Sequence, residues 1–327
     1  MKQGNDQDEM VNGIWEREVM AAAMHQCMPH PRALKPGSWE FSLVNGKPFN
    51  VRARIESRWM VFETHDIAWG PGNCWPLLEL NSKLGVGTRF VLHPHHLSLR
   101  TELLLFEEID LIDRLRFMRD ELRTGMGLLH ELHSNSKPPE IATHDLDPPV
   151  FRDDLSGPSI NELCENSGWP GNERDGASVV VSLEVDRGFY QANITREAHG
   201  RLHLSWELPT YRGSSGEQNG GERERLWTTP MAHFLLQVSA RLRLVRAEVV
   251  QLENESEDEE RAGQAEQLRF TALLPADANV GELHEAFANL SMACDLTANE
   301  TVALRSSRLA SRYLQMHEHS APIRKPL

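Results

Sequence analysis

The sequence lacks the features that mark exported, disulfide-linked or membrane-spanning proteins. Its four cysteines are scattered and no two have CxxC spacing, so neither a structural zinc nor a disulfide framework is expected, and reduced thiols fit better. No apolar run reaches the roughly 18 residues of a membrane span. The first residues, 1–10, are polar and acidic, unlike a secretory signal. These absences predict a cytoplasmic protein that does not enter a membrane.

Positive charge is also scarce. The chain has 34 Lys and Arg residues against 48 Asp and Glu residues, which gives a net charge of -14. A nucleic-acid partner requires a basic face that neutralises phosphates, and an anionic membrane surface likewise attracts basic segments. We therefore expect neither of these partners, whereas a basic or apolar protein partner is compatible with the composition.

Signatures of catalysis and of cofactor binding are missing as well. The sequence contains no P-loop, GxGxxG, GxSxG or HExxH motif. We therefore predict a protein without enzymatic activity and without a cofactor. Catalytic groups assembled from residues far apart in the sequence remain the alternative.

Fifteen histidines raise the question of a metal site. The densest cluster is His93-Pro-His95-His96, at the tip of a predicted hairpin, and no acidic third ligand is near it. His130 and His133 are spaced i,i+3 on a predicted helix and are better explained as a solvated helix end. We therefore assign no metal ligand, and the question whether the histidine cluster binds a metal stays open.

Stretches rich in proline, glycine and small polar residues divide the chain. Residues 136–157 form a predicted linker between a first domain, 1–135, and a second domain, 158–327. Within the second domain, residues 212–224 are glycine-rich and predict a flexible loop. Residues 253–260 are nearly all acidic and predict a solvated hairpin loop.

Periodicity indicates the same order of elements in both halves: a helix, three strands, a helix, two strands and a helix. Trp39, Phe41 and Leu43 alternate with polar residues, as in a strand with one buried face, and Asn45-Gly46 is a strong hairpin turn. We therefore predict an α+β protein of two tandem α-β-β-β-α-β-β-α domains, each with an antiparallel sheet and flanking helices.

Two helix starts carry recognisable signals. Asp110 is a good N-cap, and it precedes an apolar stripe formed by Leu111, Leu115, Met118, Leu122 and Leu129. Farther on, Thr297-Ala-Asn-Glu300 has the spacing of a capping box and predicts that a new helix begins there. The predicted buried stripe of that helix consists of Val302, Leu309, Tyr313 and Met316.

The two halves also match in residues. Phe41-Ser-Leu43 corresponds to Val181-Ser-Leu183, an offset of 181 − 41 = 140 residues. The segment 77–84, LLELNSKL, corresponds to the segment 235–242, LLQVSARL, an offset of 235 − 77 = 158. The predicted loop at 212–224 absorbs the change of offset, as expected of an insertion in a repeat.

Aromatic residues supply the candidate binding positions. Trp39, Trp59 and Trp206 lie within predicted strands, where core packing explains most tryptophans. Tryptophan is also enriched at binding hot spots. We therefore name Trp59, Phe62, Leu204 and Trp206 as candidate partner-binding residues that line an apolar groove.

The segment 77–92, LLELNSKLGVGTRFVL, continuing to 97–103, LSLRTEL, resembles the type III secretion chaperones of the CesT and Tir-chaperone kind, and the related YbjN-like proteins. The resemblance covers residues 40–132 best and 160–315 more loosely. Members of these families are small, acidic and dimeric single domains. Two fused copies therefore imply an internal pseudo-dimer, monomeric or weakly homodimeric, in which the second copy replaces the partner subunit.

The resemblance implies a function in binding. Such chaperones hold an extended segment of a client protein against apolar patches and exposed strand edges, where added backbone hydrogen bonds give affinity. We therefore expect a chaperone-like adaptor that binds a segment of a partner protein. The alternatives are a YbjN-like regulatory protein that holds no client, and an enzyme or ligand-binding protein that uses a cleft between the two copies.

Overall fold

The fold is α+β, with two antiparallel six-stranded sheets and seven helices in the part of the chain that the structure describes. None of these helices is long and apolar enough to cross a membrane. The predicted linker 136–157 and the acidic stretch 253–260 lie outside the described residues. The computed structural model describes residues 17–65, 67, 74–94, 96–106, 110–134, 158–174, 178–186, 188–197, 200–208, 220–252, 265–304 and 306–318.

The first half begins with a helix and four strands, continues through a second helix and two further strands, and ends on a long helix. Its elements are α1 (Arg17–Cys27), β1 (Arg32–Lys35), β2 (Ser38–Asn45), β3 (Lys47–Glu56), β4 (Trp59–Thr64), α2 (Cys74–Asn81), β5 (Arg89–Leu92), β6 (Leu97–Leu104) and α3 (Leu111–Ser134). The turn between β2 and β3 is at the predicted Asn45-Gly46, where Gly46 has a φ of 70° that other residues rarely adopt.

The second half repeats this order and adds one helix. Its elements are α4 (Ile160–Asn166), β7 (Gly171–Glu173), β8 (Ser178–Val185), β9 (Gly188–Arg196), β10 (Leu202–Glu207), α5 (Gly220–Ser239), β11 (Val245–Leu252), β12 (Ala265–Leu274), α6 (Val280–Leu304) and α7 (Ser307–Glu318).

The two sheets have the same strand order. The first runs β1-β2-β3-β4-β6-β5 and the second β7-β8-β9-β10-β12-β11. Each sheet contains one strand more than expected, because β1 and β7 were not predicted. Both are edge strands of three or four residues, too short to show the alternation by which a strand is recognised. The observed order in each half is therefore α-β-β-β-β-α-β-β-α.

The matched segments occupy equivalent places. An offset of 140 residues carries the bounds of β2, Ser38–Asn45, onto those of β8, Ser178–Val185. An offset of 158 residues carries Asn81, the last residue of α2, onto Ser239, the last residue of α5. The residue-level match between the halves therefore coincides with a match of secondary structure.

Helix α5 is longer than the sequence indicated. It begins at Gly220, inside the predicted flexible loop at 212–224, and it contains Pro230. The prediction was therefore wrong for residues 220–224, and the rest of that loop lies outside the described residues. Pro230 gives no signal for this helix, because an internal proline normally ends or kinks a helix.

The last long helix corrects another expectation. Thr297-Ala-Asn-Glu300 does not begin a helix, because α6 runs through it and the Thr297 hydroxyl donates to the Ala293 carbonyl one turn earlier. The capping box is at the start of α6. There the Asn279 side chain accepts from the Glu282 backbone N–H, and the Asn279 N–H donates to the Glu282 carboxylate.

The helix break after Leu304 also changes which residues face the core. Val302, Leu309 and Met316 are 59%, 45% and 60% exposed, so the predicted buried stripe was wrong at these three positions. Ala310 is buried instead. The stripe was drawn as one continuous helix, whereas α7 begins anew at Ser307 and therefore presents a different face.

Helices cover one face of each sheet. Helix α3 packs against β2 and β6, and α6 packs against β8, β10 and β12. The predicted α3 stripe is confirmed, since its five residues are buried and the Asp110 carboxylate accepts from the Asp113 N–H at the helix start. The four cysteines are free and buried.

Two phenylalanines offer a matched test of this packing. Phe62 is 0% exposed in β4, whereas Phe189 is 78% exposed in β9. We expect Phe62→Ala to lower the free energy of unfolding by about 3–5 kcal/mol, because it leaves a cavity in the core. Phe189→Ala should change it by about 0.5 kcal/mol or less. Urea denaturation followed by circular dichroism measures both. Equal losses in the two variants would contradict this assignment of the core.

Candidate functional site

The two halves meet through an exchange of helices. Helix α2 of the first half packs against β11 of the second, and α5 of the second half packs against β5 of the first. The two helices also pack against each other. Each half therefore buries a helix against the edge strand of the other half, and the junction also contains the buried charged side chains of Arg89, Glu102 and Arg246.

Two buried arginines make reciprocal contacts across the junction. Arg89 on β5 donates from Nη2 to the Leu242 carbonyl at 2.6 Å, and Arg246 on β11 donates from Nη1 to the Gly85 carbonyl at 2.8 Å. Each acceptor lies in the loop that follows the opposite helix, α5 or α2. Because buried carbonyls need hydrogen-bond donors, each half supplies a donor to a backbone carbonyl in the loop of the other half.

The helix ends carry a second pair of equivalent contacts. The Asn81 side chain accepts from the Phe90 N–H at 2.7 Å and donates to the Ala247 carbonyl of the other half at 2.9 Å. The Ser239 hydroxyl accepts from the Ala247 N–H at 2.9 Å. Asn81 and its equivalent Ser239 thus both form hydrogen bonds from a helix end to the backbone of a strand, which explains why both positions are polar.

Glu102 is the centre of the charged cluster at the junction. Its side chain is fully buried and pairs with Arg89 at 2.8 Å and Arg100 at 2.5 Å, both from its own half. From the second half, Arg243 pairs with it at 2.8 Å and the Leu244 N–H donates to it at 3.1 Å. One carboxylate therefore neutralises cations from both halves.

Burial disfavours the charged form of Glu102, but the three arginines overcome that effect and lower its pKa to about 2. Arg243 has a second carboxylate partner, Glu56, at 2.6 Å, and its guanidinium lies over the Trp59 ring with 5.7 Å to the ring centroid. Glu56 is more accessible than Glu102, with a side chain 34% exposed. The exposure of the side chains in the cluster therefore increases from its buried centre at Glu102 to its rim at Glu56.

A small cavity lies between the halves beside this cluster. Its volume is about 20 Å³, and its lining includes Glu102, Arg114, Leu244 and Glu282. Burial raises the pKa of Glu282 to about 7. Pockets for small molecules are typically about 300–1,000 Å³, whereas a space of this size holds about one water. This cavity therefore gives no support to a ligand cleft between the halves.

The four candidate binding residues lie inside the two sheets. Trp59, Phe62, Leu204 and Trp206 are 7%, 0%, 0% and 4% exposed. Trp206 stacks on Phe270, with ring centroids 6.0 Å apart. The structure gives these side chains a packing role, and their role in binding stays a prediction.

A histidine cluster forms a separate polar site at the end of the first sheet. Glu63 at the end of β4 lies with His93 and His96 of the β5–β6 turn, and one ligand atom from each lies within 4.8 Å of the others. The structure thus places an acidic side chain from a different strand beside the histidines, where the sequence showed none. His95 lies outside the described residues, and no comparable group forms around His130 and His133 within the described part of α3.

Glu63 is fixed in place by two cationic or polar partners. Its Oε1 lies 2.5 Å from His93 Nε2, and its Oε2 accepts from Arg54 at 2.8 Å. Burial disfavours the carboxylate, but His93 and Arg54 hold the pKa of Glu63 well below its ordinary value. Glu63 is therefore an anion at neutral pH. No signal in the linear sequence connects it to the histidines 30 residues away.

Comparison with known proteins adds no relative: no protein-family model and no curated protein matches the chain. The likeness to type III secretion chaperones therefore rests on the sequence segments in which it was noticed, and it stays a prediction.

The variants Glu102→Gln and Glu56→Gln compare how much the centre and the rim of the charged cluster contribute to the free energy of unfolding. We expect Glu102→Gln to lower the free energy of unfolding by about 3–5 kcal/mol, because it leaves buried arginines without a counter-charge. Glu56→Gln should cost about 1 kcal/mol or less, because water screens the rim.

The effect of Glu102→Gln on the free energy of unfolding should also depend on pH. The folded-state pKa of Glu102 is lowered to about 2 from an ordinary 4.5, so its contribution is complete above pH 4.5 and is lost as the pH falls toward 2. The difference in unfolding free energy between the wild type and Glu102→Gln should therefore narrow over that range in urea titrations. A constant difference would contradict the assigned ion pairs.

Proposed function

We propose that this chain is a non-enzymatic, cytoplasmic adaptor of the chaperone-like kind, which binds an extended segment of a partner protein. We further propose that its two halves form an internal pseudo-dimer, one copy acting as the dimer partner of the other. The two proposals rest on different observations and have separate tests.

Reciprocity at the junction supports the pseudo-dimer. A two-fold interface uses the same surface twice, so every contact from one copy recurs in the opposite direction. The Arg89–Leu242 and Arg246–Gly85 contacts have this relation, since an offset of 157 residues carries Arg89 onto Arg246 and Gly85 onto Leu242. The packing of the helices shows the same reciprocity, because α2 packs against β11 and α5 packs against β5.

Dividing the chain within the linker tests the pseudo-dimer. We expect fragments 1–135 and 158–327, produced together, to purify as a 1:1 complex, because each supplies buried donors to the other. Arg89→Ala should weaken the complex. Arg52→Ala is the matched control, because its side chain is 45% exposed and pairs with Glu40 on the surface. Size-exclusion chromatography with light scattering measures the assembly. Two fragments that fold and remain separate would refute the pseudo-dimer.

The edge strand β1 is the observation that supports binding of a protein segment. It ends the first sheet and is paired with β2 on its inner side, and all four of its residues are exposed. Leu34 presents 41% of its surface to solvent. An edge of this kind offers backbone donors and acceptors to which an extended peptide adds as a further strand.

The residues of β1 favour pairing with a specific partner segment over uncontrolled pairing with other sheets. Its pairing with β2 is irregular between Ala33 and Lys35, and both a bulge and an edge lysine discourage uncontrolled pairing between sheets. Lys35 also places positive charge beside Leu34 in a protein whose net charge is -14, whereas Arg32 pairs with Glu40 at 2.5 Å. We therefore expect the bound segment to combine an apolar residue with acidic neighbours.

Site-specific photo-crosslinking tests this proposal in the native cell. A photoreactive phenylalanine analogue at position 34 should crosslink to one partner in near-stoichiometric yield, because the added strand lies against that side chain. The same analogue at Phe189 is the control, since that position is exposed and apolar but lies in the second sheet. Mass spectrometry identifies the crosslinked peptides.

Leu34→Glu should abolish recovery of that partner without unfolding the protein. Equal crosslinking from both positions would show non-specific contact and contradict a site at β1. Recovery of no partner from either position would contradict the adaptor function and favour a YbjN-like protein that holds no client.

A further inference from the structure

We propose that Glu63, His93 and His96 form a binding site for a divalent transition-metal ion, and that Zn²⁺ is the ion that fits it best. The proposal is independent of the adaptor function. It rests on the geometry of the three side chains, on the way the fold holds them, and on the chemistry of their donor atoms.

The geometry is close to that of a metal site. One donor atom from each of the three residues lies within 4.8 Å of the other two. Tetrahedral zinc with bonds of about 2.0–2.1 Å places its ligand atoms about 3.4 Å apart. The required movement is therefore on the order of one ångström, within reach of side-chain rotation on a fixed backbone.

The fold fixes the backbone of all three residues. The His93 N–H donates to the His96 carbonyl at 2.9 Å and closes the β5–β6 turn. The two rings are stacked with centroids 4.5 Å apart. Glu63 is 4% exposed near the end of β4, and β4 pairs with β6 through the Glu63–Arg100 register. A bound ion would therefore join the tip of the hairpin to an inner strand of the same sheet.

Arg54 orients the carboxylate and leaves one oxygen for the ion. It holds Oε2 of Glu63, so that Oε1 points toward His93. Hydrogen bonds of this kind from outside the ligand set typically position metal-binding carboxylates. The positive charge of Arg54 opposes a cation, but Arg54 also pairs with Glu56, which offsets part of that charge.

The donor set selects the class of ion. Two imidazoles and one carboxylate suit Zn²⁺ and its neighbours in the transition series, whereas Mg²⁺ and Ca²⁺ prefer ligands that are all oxygen. Three protein ligands leave one position of a tetrahedral ion for water or for a donor from outside. The imidazoles bind as neutral ligands, and zinc binding replaces the hydrogen bond between His93 and Glu63.

Calorimetric titration of the chelator-treated full chain with ZnCl₂ tests the proposal. We expect binding at this site with a stoichiometry of one, and an affinity at least tenfold lower in each of the variants His93→Ala, His96→Ala and Glu63→Gln. MgCl₂ should give no binding. The double variant His130→Ala/His133→Ala is the matched control, because it removes a pair of histidines outside the site, and it should retain wild-type affinity.

Two further measurements separate loss of ligands from loss of fold. Cobalt(II) should give the visible absorption of a tetrahedral site in the wild type and in the His130→Ala/His133→Ala control, and this absorption should vanish in His93→Ala. Zinc should raise the melting temperature of the wild type but not of His93→Ala, with circular dichroism confirming that the variant is folded. Wild-type protein that binds no zinc, or a tenfold loss confined to the His130→Ala/His133→Ala variant, would overturn the assignment.

Discussion

A buried carboxylate, Glu102, that pairs with arginines from both halves connects the two halves of this protein. Arg89 and Arg100 lie in the first sheet with Glu102, and that carboxylate also receives Arg243 and a backbone N–H from the second half. An uncompensated charge at such depth costs several kcal/mol. The pairs that Arg243 makes with Glu102 and Glu56 are therefore formed only when the halves are docked, and their directional hydrogen bonds help to fix the docking geometry.

The same constraint explains why polar residues appear in otherwise apolar segments. Asn81 and Ser239 end equivalent helices, and their side chains bond to strand backbone beside the junction. Arg89 and Arg246 each donate a hydrogen bond to a loop carbonyl of the other half, Leu242 and Gly85 respectively. The junction thus uses its polar groups for specificity, while the helices α2 and α5 provide the apolar area. The two surfaces proposed for binding, β1 and the Glu63–His93–His96 cluster, involve separate residues.

Much of the fold was accessible from periodicity. The alternation in Trp39, Phe41 and Leu43 located β2, and the 3.6-residue stripe after Asp110 located α3, because both patterns reflect one-sided burial. The strands β1 and β7 escaped because three or four residues carry no periodic signal. The capping box at 297–300 misled because its spacing also occurs inside a helix, where the Thr297 hydroxyl bonds to the previous turn. Asn279 and Glu282 had the same spacing and were the true start of α6.

The sequence by itself determined the α+β class and the internal repeat, since both depend on contacts between near neighbours and on two segments compared with each other. Only the tertiary structure decided which residues meet across long distances. It placed Glu63 beside His93, brought Arg243 to Glu102, and buried the aromatic residues expected at a binding surface. The physical reason is that a buried ion pair or a ligand cluster is defined by position in space, and the strand register that sets this position emerges only when the sheets and helices pack together.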